Sequence, residues 1–238
     1  MRKPKLILVH GAWQSAWCWQ LITPLLKQTG VDPITLDLPG RNGINAHQTQ
    51  LFTYIEAVIN LIENYDEPIY LLGHSLAGVI ISGVAERIPD RIQGVIYATA
   101  FLLQNQQTIL DTIPHNNSSL ISGLHFNEHT IAVDPNYIIP SFLHHCSADI
   151  AKWAQSNWSI EPLLPMKEPL TITAENFGRV PKYYLLCTDD QSIAPSLQHT
   201  MCNQYQGEIN VTEINSDHSP FLSHPDEMVD YLRGICLS

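Results

Sequence analysis

The chain has 238 residues, of which 45% are hydrophobic and 15% are charged, which is enough for one large α/β domain. Its formal net charge of −11 argues against nucleic acid or an anionic membrane surface as a partner, because both are bound through clustered Lys and Arg. The sequence lacks an apolar run of about 18 residues, so we expect no membrane span. Five scattered cysteines, an odd number, indicate reduced thiols and a cytoplasmic location rather than a disulfide framework.

Apolar runs alternate with amphipathic stretches through the first hundred residues. The runs predict short strands at 5–9, 33–36, 69–72 and 94–98. Apolar residues at helical spacing predict helices at 17–27, 51–62 and 79–87, the first of them ended by Gly30.

This alternation stops between about residues 101 and 180, where the chain is rich in Asn, His, Ser and Pro and shows one candidate helix, at 149–156. It then resumes, with strands at 183–187 and 209–214 and helices at 195–205 and 225–235. Buried strands separated by helices predict an α/β fold with a doubly wound, mostly parallel sheet.

The break in the alternation predicts how the domain is organised. We expect residues 1–100 and 181–238 to form the core, and residues 101–180 to form a cap inserted over the active site. The carboxyl ends of the strands are the edge at which open α/β sheets bind ligands.

The segment Gly73-His74-Ser75-Leu76-Ala77 joins the third predicted strand to the third predicted helix. A sharp strand-to-helix turn with serine at its apex is typical of a nucleophile, because the turn exposes the hydroxyl at a helix N-terminus. Ala77 stands where the strict pattern has a second glycine, and its methyl group is small enough for the helix to pass close to the strand. The alternative is that Ser75 only caps the helix.

A nucleophilic serine needs a base, and the base needs an orienting acid. The loops after the last two predicted strands carry Asp189-Asp190 and His218. Because both loops and the serine follow parallel strands, we expect all three at the same edge of the sheet. Spacing does not choose between the two aspartates, and His224 is a second candidate for the base.

The negative oxygen of a tetrahedral intermediate needs preorganised N–H donors. The residue after the nucleophile, Leu76, supplies one backbone N–H in the predicted site. The other is expected from Ala12, in the turn after the first strand, where Gly11 lets the backbone turn. Among the tryptophans nearby, we expect Trp13 to reach the substrate pocket.

His144, His145 and Cys146, together with Asp149, form a group of potential metal ligands. Adjacent histidines rarely converge on one ion, and no second cluster completes a tetrahedral set. We therefore predict no metal site and no cofactor.

Several segments together resemble the plant methylesterase and hydroxynitrile lyase branch of the α/β-hydrolase superfamily and its bacterial esterase relatives. They are Leu8-Val9-His10-Gly11-Ala12-Trp13, Trp17-Cys18-Trp19, Pro24-Leu25-Leu26, Thr35-Leu36-Asp37-Leu38, Leu72-Gly73-His74-Ser75-Leu76, Cys187-Thr188-Asp189-Asp190 and Asp217-His218. The resemblance implies that Ser75 is the nucleophile, His218 the base and Asp190 the acid, with a cap made from the insertion. Residues 101–180 match poorly, so no pocket residue is transferred there.

Two positions separate the activities of that branch. Its lyases carry a threonine in the first oxyanion turn and a lysine directly after the catalytic histidine, whereas this chain has Gly11 and Ser219. The resemblance therefore implies an esterase that cleaves small apolar, aryl or methyl esters through an acyl-enzyme, with Gly11, Trp13 and Ser219 at the pocket.

The sequence is also compatible with other functions. The same fold could serve a small-molecule receptor or a hydroxynitrile-lyase-like carbon–carbon lyase. The expected partner is a small-molecule ester, and the oligomeric state is open, with a homodimer as one candidate.

Overall fold

The computed structural model describes residues 3–113 and 118–238. Residues 1–2, at the start of the predicted core, and 114–117, inside the predicted cap, lie outside the described residues. Six strands form one sheet: β1 (Lys5–Val9), β2 (Asp32–Thr35), β3 (Ile69–His74), β4 (Ile92–Ala98), β8 (Lys182–Cys187) and β9 (Asn210–Ile214).

The strand order in this sheet is β2-β1-β3-β4-β8-β9, and every neighbouring pair is parallel. Side chains on the inner strands, such as Ile7, Leu72 and Ile96, are completely buried, because helices cover both faces of the sheet. The predicted α/β architecture with a parallel sheet is confirmed, and the six predicted strands are present with ends shifted by no more than two residues.

The helices pack around the sheet and in the segment inserted between β4 and β8. They are α1 (Ile22–Thr29), α2 (Leu51–Ile62), α3 (Ala77–Arg87), α4 (Ile109–Thr112), α5 (Pro135–Phe142), α6 (Ala148–Ser156), α7 (Leu164–Lys167), α8 (Pro195–Gln204), α9 (Pro220–Ser223) and α10 (Pro225–Cys236).

The first predicted helix, 17–27, is wrong as a single element. The structure has a 3₁₀ turn at Ala16–Trp19 and then α1, which ends at Gly30 with a φ of 100°. Pro24 lies in the first turn of α1, where its missing N–H costs nothing, but its ring disfavours a helix that continues from the preceding turn.

The inserted segment contains a second, small sheet that the sequence does not predict. Its strands are β5 (Leu124–Phe126), β6 (Thr130–Val133) and β7 (Glu161–Pro162), paired antiparallel in the order β5-β6-β7. Strands of two to four residues are too short to show an alternating pattern. The one helix predicted here is present as α6.

Within the described ranges, none of the helices has the length and apolarity that crossing a bilayer requires. All five cysteines are free thiols, and four of them are buried.

Candidate active site

The turn between β3 and α3 places Ser75 at its apex in the left-handed region, with a φ of 55°. This conformation costs a non-glycine residue about 1–2 kcal/mol, so the surroundings must hold it. Gly73 permits the tight crossing: a Cβ there would lie 2.7 Å from the carbonyl oxygen of Ala77, at the start of the helix. The strand, the sharp turn and the helix thus match the geometry that the sequence predicts around Ser75.

Hydrogen bonds from outside the turn stabilise this backbone. The N–H of Ser75 donates to the carbonyl of Ala98 at 3.3 Å, and the carbonyl of Ser75 accepts from the N–H of Phe101 at 3.1 Å. A Cβ on Gly11 would lie 2.9 Å from the Cβ of Ser75. The turn after β1 therefore approaches the serine so closely that only glycine fits at position 11.

Ser75 lies on the wall of a cavity whose lining is almost wholly apolar. Serine hydroxyls are the polar side-chain groups of this wall, and no charged side chain lines it among the described residues. The lining residues are Ala12, Trp13, Ser75, Leu76, Phe101, Ile109, Ile113, Leu120, Ile121, Leu124, Ile131, Met166, Ser192 and Ile193. Eight of the fourteen belong to the inserted segment, from Phe101 to Met166, so this segment supplies more than half of the wall.

His218 and Asp190 form a buried pair. Nδ1 of His218 is 2.6 Å from Oδ2 of Asp190, and both side chains are completely inaccessible to solvent. A carboxylate in this position fixes which nitrogen of the imidazole carries the proton and how the ring is oriented.

Further donors hold the carboxylate of Asp190 in place. Its Oδ1 accepts the backbone N–H groups of Ser192 and Ile193 at 2.7 and 2.9 Å. Its Oδ2 accepts Nε2 of Gln198 at 3.2 Å and the hydroxyl of Thr99. Thr99 has a φ of 40°, unusual for a β-branched residue. The sequence gives no signal for either residue, because Thr99 lies 91 residues from Asp190 and Gln198 lies in α8, outside the loop that carries Asp190.

Asp189 has a different environment. Its side chain is 47% exposed and accepts a hydrogen bond from Nε2 of His145 at 2.7 Å, with Nε2 of His144 at 3.3 Å. The hydrogen bond from His145 is the main cause that lowers the pKa of Asp189. The structure therefore pairs His218 with Asp190 and not with Asp189. His224 packs against His145 instead, with the ring centroids 5.5 Å apart.

His144 and His145 approach each other more closely than adjacent histidines usually do. Nitrogen atoms of both His144 and His145, with an oxygen of Asp189, lie within 4.8 Å of one another. A turn presents both rings to the carboxylate of Asp189, which lies within hydrogen-bond distance of Nε2 of each. Asp149, the carboxylate that the sequence suggested, is not part of this group.

His74, the residue before the serine, also has a role that the sequence does not reveal. Its Nε2 donates to the carbonyl of His218 at 2.9 Å, and the two rings lie 4.6 Å apart. Burial, and next the interaction with the neighbouring imidazole of His218, lower the pKa of His74 well below its usual value, so the imidazole of His74 is neutral. His74 therefore ties the loop that carries His218 directly to the turn that carries Ser75.

The second ring nitrogen of His218 differs from the first, which is bonded to Asp190. Its Nε2 is buried and, among the described residues, has no hydrogen-bond partner, so it is not bonded to the Ser75 hydroxyl. Hydrogen bonds between catalytic groups are often long in the absence of substrate and close when it binds. Phe142 packs edge-on against this imidazole, with the centroids 5.3 Å apart.

The two predicted oxyanion donors lie on the wall of the same cavity. Ala12 and Leu76 both line the cavity with Ser75, and their N–H groups donate to no other residue in the described parts of the chain. His10 holds the first turn: it accepts the N–H of Leu38 at Nε2, so its Nδ1 donates to the carbonyl of Gly11 at 2.9 Å. Burial lowers the pKa of His10 to about 4, which keeps the ring neutral.

The three predicted pocket residues differ in their position relative to the cavity. Trp13 lines the cavity, whereas Gly11 and Ser219 are not part of its described wall. Gly11 acts on the site through its contact with the serine turn. Ser219 is completely buried, and its hydroxyl has no partner among the described residues.

The whole arrangement is that of an α/β-hydrolase, with a serine turn after the third strand and a His–Asp pair after the last two strands. Residues 6–231 match the alpha/beta hydrolase family. The chain belongs to this family.

The comparisons also locate its relatives within the family. It is 29% identical to putative methylesterase 14, chloroplastic, of Arabidopsis thaliana, over 97% of this chain and 71% of that protein. It is 24% identical to a carbendazim hydrolyzing esterase of Nocardioides sp. (strain SG-4G), over 96% and 98%. Among solved structures, a pyrethroid hydrolase from Sphingobium faniae JZ-2 superposes with a TM-score of 0.89 at 21% identity, over 99% and 98%. The resemblance to plant methylesterases and bacterial esterases is confirmed.

Proposed function

We propose that this protein hydrolyses carboxylic esters by nucleophilic catalysis at Ser75, with His218 as general base and Asp190 as its orienting acid. The observation that carries the proposal is the buried His218–Asp190 pair, 2.6 Å apart and tied through His74 to the turn of Ser75. The methylesterase and esterase relatives indicate ester hydrolysis on this fold.

In the proposed reaction, His218 takes the proton of the Ser75 hydroxyl while Oγ of Ser75 attacks the ester carbonyl. The resulting oxyanion accepts the N–H groups of Ala12 and Leu76, and Asp190 stabilises the imidazolium. His218 then returns the proton to the leaving alcohol, which leaves an acyl group on Ser75. Water, activated by the same imidazole, releases the acid and restores the serine. No cofactor takes part in these steps.

The apolar cavity wall favours the binding of uncharged substrates. Its side chains are aliphatic or aromatic apart from two serines, and a buried carboxylate or ammonium group on the substrate would lose its hydration without a counter-charge. We propose small apolar, aryl or methyl esters, and expect an acyl group that ends in a carboxylate to be excluded.

The test compares Ser75→Ala with the wild type on p-nitrophenyl butyrate, its carboxylate-bearing counterpart p-nitrophenyl succinate, and a panel of methyl esters. We expect the wild type to prefer butyrate over succinate by about 100-fold or more in kcat/KM. Ser75→Ala is expected to lower kcat by roughly 10⁴-fold or more with unchanged circular dichroism. Full activity in that variant would remove Ser75 from the mechanism.

A further inference from the structure

Trp13 follows directly after the proposed oxyanion donor Ala12 and has an unusual backbone. Its φ of 61° lies in the left-handed region, which a bulky aromatic residue rarely adopts. Such a conformation persists only where the surroundings over-determine it. The groups that hold Trp13 also influence the direction of the N–H of Ala12, the residue before it.

Three hydrogen bonds hold Trp13, and all three partners come from the inserted segment. Its backbone N–H donates to Oε2 of Glu161 at 2.9 Å, and its indole N–H donates to the carbonyl of Ile131 at 3.0 Å. Its carbonyl accepts the N–H of Ser159 at 2.9 Å. Ile131 and Glu161 face each other across the β6–β7 pair, so the small sheet presents two of the three partners in fixed register.

Glu161 is the charged member of this set, and it is deeply buried, with 1% of its surface exposed. Besides Trp13, its carboxylate accepts the hydroxyl of Tyr54 at 2.6 Å and pairs with Nη1 of Arg41 at 3.0 Å. A carboxylate at such depth is costly unless it is fully paired. Two of these partners satisfy its charge, and the third is a backbone group of the oxyanion turn.

We propose that Glu161 is a positioning residue that fixes the turn at Trp13 and thereby aims the N–H of Ala12 at the developing oxyanion. This inference rests on the proposed function. Glu161 does not line the cavity, so it acts through the backbone and not by touching the substrate. The inserted segment therefore has two roles. It lines the cavity, and through Glu161 it also holds the turn that carries Ala12 and Trp13.

The test is Glu161→Gln in the full chain, measured on p-nitrophenyl butyrate. Glutamine has one accepting oxygen where the carboxylate has two, and its amide is neutral, so Trp13 and Tyr54 compete for the single oxygen and the hydrogen bond from Trp13 weakens. Because the oxyanion exists only in the transition state, we expect kcat to fall about 10- to 100-fold while KM changes less than about 3-fold. The inhibition constant of a butyl boronic acid, which mimics the tetrahedral intermediate, is expected to rise by a similar factor.

Tyr54→Phe is the matched control, because it removes a hydrogen bond from the same carboxylate and leaves the bond to Trp13 intact. We expect this variant to keep kcat within about 2-fold of the wild type, whatever its melting temperature. If both variants lose kcat in proportion to their loss of stability, the role of Glu161 is structural and the proposal is overturned. A wild-type kcat in folded Glu161→Gln overturns it as well.

A second measurement applies if Glu161→Gln does not fold. Hydrogen exchange on the wild-type protein should find the Trp13 amide strongly protected, and rapid exchange at Trp13 would overturn the proposal. Failure of the proposed function is distinguishable, because wild type would then hydrolyse no ester on the panel and Ser75→Ala would change nothing.

Discussion

At the scale of single residues, the two neighbouring aspartates show how environment assigns roles. Asp190 is 2% exposed and receives five donors, counting His218. Asp189 lies half-exposed beside two histidines. Only the resemblance to a family distinguished them in the sequence, because their spacings to every other motif differ by a single residue.

We expect Asp190→Asn to lower kcat by roughly 10³- to 10⁴-fold, because an amide would orient the imidazole of His218 in the wrong tautomer. Asp189→Asn is the control, and it should retain kcat within about 3-fold, since Asp189 does not contact His218. Steady-state kinetics on one aryl ester decide between them, with circular dichroism to verify folding. A larger loss in Asp189→Asn than in Asp190→Asn would contradict the assignment.

At the scale of elements, the junction of β3 and α3 sets the position of Ser75, the proposed nucleophile. The sequence predicts this junction well, because a tight crossing requires small residues that are visible as Gly73 and Ala77. It does not predict how the turn is held, since the partners are backbone groups of Ala98, at the end of β4, and Phe101, in the loop after it. The small residues of the segment thus identify the turn between β3 and α3. The hydrogen bonds that hold this turn come from other parts of the chain.

Gly73→Ala tests the crossing. The new Cβ would lie 2.7 and 2.9 Å from backbone atoms of Ala77, so the helix start must move. We expect a loss of about 1–3 kcal/mol in the free energy of unfolding and at least a 10-fold loss in kcat/KM, as about 1 Å of misplacement is costly in catalysis. Urea unfolding and ester kinetics measure the two effects.

Gly234→Ala in α10 is the matched control for this substitution. Nothing lies within 4 Å of a Cβ at that position, so the only expected effect is a gain in helix propensity of about 0.5–1 kcal/mol, with unchanged activity. If Gly73→Ala behaved like Gly234→Ala, the close approach of strand and helix would not constrain the site.

The small sheet of the inserted segment marks the limit of prediction from the sequence. Its central pairing joins Ile131 to Glu161, 30 residues apart, in strands too short to carry a periodic signal. The long parallel strands of the core were predictable, because each is a continuous apolar run between turn signals. The contact of Glu161 with Trp13 could not be found from sequence, since it follows from that one unpredicted pairing.

At the scale of the whole molecule, the central sheet contains a buried lysine. Lys182 begins β8 and is 1% exposed. Its ammonium group donates to the carbonyls of Phe177 and Val180 at 2.6 and 2.8 Å and lies 5.1 Å from the ring centre of Tyr205. Burial lowers the pKa of Lys182 from its ordinary 10.5 to about 8, while the carbonyls and the ring favour the charged form and limit this fall.

This pKa predicts how stability depends on pH. Between pH 8 and 10.5 the unfolded chain keeps the proton that folded Lys182 has lost, so the contribution of Lys182 to the free energy of unfolding rises with pH. The rise is at most about 3 kcal/mol and is complete above the ordinary lysine pKa.

In Lys182→Met this contribution is absent, whereas Tyr205 and the buried thiols titrate alike in both proteins. Urea unfolding of both proteins at intervals from pH 7 to pH 10.5 should therefore give a stability difference that moves in favour of the wild type as pH rises. Parallel curves would mean that folded Lys182 keeps its proton throughout, because its carbonyl and ring contacts outweigh burial.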